Sequence, residues 1–226
     1  MTYRSANGGP VWPGLLVTIE GVDGGGKSTL AEGLAGRLRA AGYPVRLTRE
    51  PGGTPLGARI RDLLLAPEGE GPCPPAELLL YAADRAQHYA TVIRPALAAG
   101  QIVICDRFVD STVVYQGLVR GLDRVFIELL HRFVLDGLTP DLTFLLDLAP
   151  EEAWRRCRDR APDRLEREGL AFQRAVRCAF LQLAAESPRR FRVLDATEPP
   201  EALLEQAAGE VLRLAGARLL SLARAV

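Results

Sequence analysis

The sequence predicts a doubly wound α/β domain, a five-stranded parallel sheet with helices on both faces, and three observations predict it. An apolar strand-like run, Leu15 to Ile19, leads through a glycine-rich loop into a helix-like segment. Leu30, Leu34 and Leu38 then recur at helical spacing, and Gly42 precedes a short second strand, Val45-Arg46-Leu47-Thr48. Strand, helix and strand within about 30 residues make a crossover unit, which requires parallel pairing. Apolar strand runs alternate with helical patterns to the end of the chain, without internal repeats. At 226 residues and 48% hydrophobic content, one such domain has ample material for its core.

Taken in order, the first fourteen residues contain Gly8, Gly9, Pro10, Pro13 and Gly14 and no apolar segment. They read as a flexible tail, neither signal peptide nor membrane anchor, with the folded domain over residues 15–226. The loop after the first strand, Gly21-Val22-Asp23-Gly24-Gly25-Gly26-Lys27-Ser28-Thr29, fits G-x-x-x-x-G-K-[ST], the phosphate-binding P-loop. Glycines let consecutive N–H groups turn toward phosphate oxygens, the lysine reaches the β and γ phosphates, and the Ser28 hydroxyl suits Mg2+. Lys27 is the only lysine among 28 basic residues. A chain that uses arginine for every other cation keeps its one compact ammonium where this loop needs it.

Beyond the second strand, Arg49-Glu50-Pro51-Gly52-Gly53-Thr54-Pro55 is too rich in Gly and Pro to be regular, and it leaves a parallel strand at the end where ligands bind. A helix is predicted over 56–65, a Pro/Gly loop over 66–75, and an amphipathic helix over 76–99 with a bend or new start at Pro95. Ile102-Val103-Ile104-Cys105 reads as a buried strand ending at Asp106-Arg107-Phe108. An apolar strand closing on an acid is the Walker B pattern, with the carboxylate beside the P-loop metal. Helices at 111–117 and 124–135, a strand at 142–147 and a helix at 150–157 follow. An arginine-rich stretch over 155–167, a helix at 170–185, a strand at 191–194 and a closing helix at 200–224 complete the chain. The architecture is that of a P-loop NTPase fold.

Lys+Arg and Asp+Glu balance at 28 each, which excludes a global basic field for nucleic acid or anionic membrane. The four cysteines have neither C-x-x-C nor zinc spacing, so reduced thiols in a cytoplasmic protein are expected. No apolar run reaches the roughly 20 residues of a spanning helix.

Four separated stretches together resemble bacterial thymidylate kinase: the P-loop, Thr48-Arg49-Glu50-Pro51-Gly52-Gly53-Thr54, Asp106-Arg107-Phe108 with Ser111-Thr112-Val113-Val114-Tyr115-Gln116-Gly117, and Asp163-Arg164-Leu165-Glu166. Leu80-Tyr81-Ala82-Ala83-Asp84-Arg85 fits the same family's base-binding helix. The resemblance implies transfer of the γ-phosphoryl group of ATP to dTMP, with Mg2+, in a cytoplasmic homodimer packed through helices. It places Tyr81 on thymine and Arg85, one turn later, on a thymine oxygen. Taken alone, that pair reads as a core aromatic and a salt-bridged arginine. Asp106 resembles the metal-proximal acid, though an N-cap would serve as well, and Ser28 completes the metal pair. Arg107 resembles the arginine aimed at the phosphoryl groups. Asp23 matches a carboxylate near sugar and metal, and Tyr115 the aromatic under deoxyribose. Ser111, Gln116 and Glu50 complete the dTMP set. The stretch at about 156–168 looks like a lid, interrupted by Pro162. Family members with no arginine at the position of Gly24 supply one from this lid, which makes Arg158 and Arg160 the candidates beside Lys27 and Arg107, with Arg160 preferred.

The acceptor phosphate is already anionic near neutral pH, so the reaction requires charge neutralisation and positioning but no general base. A deoxynucleoside kinase would need a base, for which Glu50 is the available carboxylate. A GTPase switch or a partitioning ATPase would each need a second lysine, which the chain lacks.

Overall fold

The computed structural model describes residues 3–4, 10–66, 71–158 and 163–223. A short antiparallel ribbon, β1 (Tyr3–Arg4) and β2 (Pro10–Val11), precedes the main domain. There, β3 (Leu15–Gly21) leads to α1 (Lys27–Ala40), β4 (Val45–Arg49), α2 (Pro55–Leu65) and α3 (Pro74–His88). A π-helical turn, Tyr89–Ile93, joins α3 to α4 (Arg94–Ala98), and β5 (Ile102–Asp106) follows. Next come α5 (Val109–Thr112), a second π-helical segment (Val113–Val119), α6 (Arg124–Leu135), β6 (Leu142–Asp147) and α7 (Pro150–Cys157). A 3-10 turn (Glu166–Glu168), α8 (Gly169–Glu186), β7 (Phe191–Asp195) and α9 (Pro200–Ala223) close the chain.

The five long strands form one parallel sheet, as the sequence predicts, and their order in it is β4-β5-β3-β6-β7. Strand β3 lies at its centre, buried throughout, and the chain crosses from one half to the other between β5 and β6. The crevice beyond the C-terminal ends of β3 and β5 is therefore the expected ligand site. Side chains of a strand alternate between faces. Leu15, Val17 and Ile19 accordingly join a core that includes Leu34 and Leu38 of α1 and Ala207 and Val211 of α9. Leu16 joins a second core with Ile93, Leu97, Val103 and Phe108. Thr18 and Glu20 share the Leu16 face, and both are fully buried.

Three expectations change. The tail is tied down at its inner end: Gly14 N–H donates to Leu97 O at 3.0 Å, Arg218 Nη1 donates to Trp12 O at 2.6 Å, and Trp12 packs on the second core. The long helix from Pro74 to Ala98 is continuous through its π turn, because the wider winding accommodates Pro95, which has no N–H to donate back along the helix. The helix at 111–117 begins earlier, at Val109, and rewinds into π geometry where it carries Tyr115 and Gln116. The predicted lid lies partly outside the described residues, and Arg160 with it.

Candidate active site

The P-loop bridges β3 and α1 through Gly24 at φ 79° and Gly26 at φ 89°, conformations that side chains rarely adopt. At Gly24 space is closed as well, since a Cβ would meet Ala153 O at 2.6 Å and Cys157 Sγ at 2.8 Å. Lys27 opens α1 and is buried; its Nζ donates to Val22 O at 2.8 Å and pairs with Asp23 Oδ1 at 3.5 Å. Burial first, then the Arg107 cation, lowers the Lys27 ammonium below its ordinary range. Ser28 Oγ donates to Asp106 Oδ2 at 2.6 Å. A hydroxyl and a carboxylate side by side are hard oxygen donors, a set that fits Mg2+ completed by waters and phosphates.

Arg107 leaves β5 at φ 66°, a left-handed conformation that costs a non-glycine residue about 1–2 kcal/mol. The turn is held from below. Glu20 Oε1 accepts from Phe108 N at 2.7 Å, and Oε2 accepts from the Ser111 hydroxyl at 2.6 Å. So braced, Arg107 sends Nη2 to Asp23 Oδ1 at 2.6 Å and Nη1 to Ser111 Oγ at 3.2 Å, with its guanidinium 5.6 Å from the centre of the Tyr115 ring. Burial acts to raise the Asp23 carboxyl, but the Arg107 and Lys27 cations prevail and hold it well below the usual carboxylate range. Burial, then the neighbouring Asp110 carboxylate, pushes Glu20 up to about 7.

The base end is drier. Arg85 is 1% exposed and Glu50 3%. Arg85 Nε donates to Glu50 Oε2 at 2.8 Å, while His88 Nδ1 meets Glu50 Oε1 at 2.9 Å. Both oxygens of Glu50 are therefore engaged, and the residue is not available as the base a hydroxyl acceptor would need. Tyr81, one turn before Arg85 on α3, is half-buried on the cleft wall. Gln116 Nε2 donates to Glu77 Oε1 at 2.7 Å, and Arg164 of the lid motif also pairs with Glu77.

The structure brings the predicted residues together with one exception among those described. Asp23, Glu50, Tyr81, Arg85, Arg107, Ser111, Tyr115 and Gln116 all line a single cleft. A second cleft of about 350 Å³ is lined by Asp23, Gly24, Gly26, Lys27, Ser28, Thr29 and Asp106 of the predicted set. Gly21, Val22 and Gly25 supply the surrounding backbone, with Gly25 N donating to Val22 O at 3.3 Å. The two clefts share Asp23, Glu50, Arg61 and Arg107. Arg158 is the exception. At the end of α7 it lines a neighbouring apolar hollow with Trp154 and Pro150, whereas Arg156, two residues earlier, lines the second cleft. A helix turns about 100° per residue, so neighbouring arginines in a charge run face different sites. The sequence motifs give no site role to Glu20, Arg61, Thr112, Arg156 or either histidine. A carboxylate directly following the apolar run Leu15 to Ile19, which the structure extends to Gly21, is the available signal for Glu20.

The family model for thymidylate kinase matches residues 19–207. This chain belongs to the thymidylate kinase family. It is 54% identical over 187 residues to the thymidylate kinase of Pseudomonas savastanoi pv. phaseolicola, covering 82% of this chain and 89% of the relative. It is 50% identical over 192 residues to that of Halothermothrix orenii, covering 83% and 91%. The crystal structure of thymidylate kinase from Ehrlichia chaffeensis superposes with a TM-score of 0.69 at 33% identity, over 88% of this chain and 98% of that one. The activity is thus phosphoryl transfer from ATP to dTMP, giving ADP and dTDP in nucleotide biosynthesis. No helix among the described residues is long and apolar enough to cross a membrane.

Proposed function

We propose that the cleft containing Tyr81 and Arg85 holds dTMP, that the P-loop cleft holds the phosphates of ATP, and that the γ-phosphoryl group crosses where they meet. The single observation that carries this reading is the set of residues common to both clefts, Asp23, Glu50, Arg61 and Arg107. A group lining both clefts can contact the attacking and the transferred phosphate at once. Arg107 is the cation best placed to do so, because Asp23 and Ser111 fix its fork and Tyr115 supports its plane. Lys27, donated by the first turn of α1, neutralises the donor phosphates. The lid segment at about 156–168 adds arginine to the donor side, with Arg156 joining Arg160 as a candidate. Mg2+ would be held by Ser28 and Asp106, and when bound it would supply positive charge to offset that of the phosphates.

The chain acts as one kinase domain over residues 15–226 and as a homodimer. Support for the dimer comes from α6, where Val125, Phe126, Leu129 and Phe133 are exposed, Phe133 by 86%, with Leu79 of α3 exposed as well. The four cysteines form no disulfide among the described residues, which favours a reducing, cytoplasmic setting.

The test is a coupled assay for ADP formation with Mg-ATP and one acceptor at a time: dTMP, dUMP, dCMP, dGMP, AMP, UMP and thymidine. Turnover should be strongest with dTMP, weaker with dUMP and absent with thymidine, and chelating the Mg2+ should abolish it. Thymidine as good an acceptor as dTMP would overturn the assignment of Arg107 to the acceptor phosphate.

A further inference from the structure

The chain has two histidines, and both stand against the Glu50–Arg85 pair. His88 comes from α3 itself and buttresses Glu50, with its Nε2 2.6 Å from Thr48 Oγ1. His131 comes from α6, is 9% exposed, and meets Arg85 directly. A guanidinium has five N–H donors and no acceptor. In Arg85 four are committed: Nε to Glu50, one Nη1–H to Thr112 Oγ1 at 3.0 Å, the other to His131 Nε2 at 2.9 Å, and one Nη2–H to Phe108 O at 3.2 Å. A single Nη2–H remains for a ligand in the cleft that Arg85 lines.

Because arginine cannot accept, His131 must present a bare lone pair at Nε2 and carry its proton on Nδ1. Its surroundings favour that neutral state, since burial and the Arg85 cation push the imidazolium down to about 2. A threonine hydroxyl can rotate to follow a moving partner. The imidazole lone pair lies in a ring plane fixed by packing, and so constrains the guanidinium more tightly.

We propose that His131 is a positioning residue for base selection: by accepting an Arg85 Nη1–H it fixes the guanidinium so that the one remaining donor selects a base presenting a carbonyl oxygen over one presenting an amino group. This rests on the reading that the cleft holds the base of dTMP. Thymine and uracil offer a 4-carbonyl to that donor, whereas cytosine offers an N–H2, leaving donor facing donor.

The experiment compares His131→Leu with His131→Gln, whose amide oxygen can stand in for Nε2, measuring kcat and KM for dTMP, dCMP and ATP. For His131→Leu, KM for dTMP should rise about tenfold and the preference for dTMP over dCMP fall about tenfold. KM for ATP and kcat at saturation should stay within about twofold. His131→Gln should recover most of the loss. Unchanged dTMP affinity and base preference in the Leu variant would overturn the proposal, as would an equal loss for both bases that Gln does not recover. Should His131→Leu not fold, His131→Gln alone must retain the preference, and the ring-nitrogen chemical shifts of the wild type must show an unprotonated Nε2 from about pH 6 to pH 8. A protonated Nε2 would overturn it. The underlying cleft assignment fails separately, if the wild type shows no preference for dTMP over dCMP in the acceptor assay.

Discussion

The two ends of the site are made differently. At the phosphate end, two short motifs supply most of the groups, and apart from the buried Lys27 their ions stay partly accessible: the Asp23 side chain is 28% exposed and that of Arg107 15%. At the base end, every partner of Arg85 is 23 to 46 residues away in sequence, and the Arg85–Glu50 pair is 2% exposed on each side. Partly accessible charges can be removed without disturbing the fold, because water replaces the lost partner. Buried charges cannot, because removing one leaves the other desolvated and unpaired. The phosphate end can therefore be tuned for chemistry alone, while the base end carries recognition and stability in the same atoms.

The largest expected effect tests the first half of this contrast. Lys27→Ala and Arg107→Ala should each lower kcat by about a thousandfold or more, and Arg107→Ala, which removes a partly accessible charge, should keep a thermal midpoint close to that of the wild type. A collapse of the midpoint in step with activity would show the phosphate end to be structural as well. The second half is tested by Glu50→Gln, which strips the anion from Arg85. About 3–5 kcal/mol of stability should disappear in chemical denaturation. A loss under about 1 kcal/mol would mean that water reaches the pair.

Between the two ends lies Glu20, buried like the base end but bracing the Arg107 turn. Its folded-state pKa is raised from 4.5 to about 7 by burial and by Asp110. The folded chain therefore binds the proton more tightly than the unfolded chain, and wild-type stability falls as pH rises between those values. Glu20→Gln removes that titration. Its stability relative to the wild type should increase from pH 5 to pH 8, by up to about 3 kcal/mol. A difference that stays constant with pH would show that Glu20 carries no such shift.

The same contrast governs how much the sequence reveals. The five strands, their parallel pairing and the phosphate end were legible, because apolar periodicity and a glycine-lysine loop are local signals. At the base end spacing alone marked only Tyr81 and Arg85 on one helix face, and Glu50, Ser111, Tyr115 and Gln116 were marked only by the family resemblance. His131, on α6, has no sequence mark that ties it to Arg85, since the tie is made by tertiary packing. Glu20 had a mark, a carboxylate in a strand buried on both sides, but its partners Phe108 and Ser111 are about 90 residues downstream. The π-helical turn that presents Tyr115 and Gln116 was hidden because a single wide turn does not alter apolar spacing enough to register. Arg156 and Arg158 could not be told apart within a run of like charges until α7 fixed which way each one faces.

The solitary lysine gives the protein an unusual chemical address. Reagents that acylate amines ordinarily scatter over a protein surface and report only average accessibility. Here the one ε-amine is 7% exposed at the mouth of the P-loop, hydrogen-bonded to the Val22 carbonyl. Apart from the terminal amine, every such modification reports on that single loop, so the mass gained on labelling reads whether nucleotide shields it.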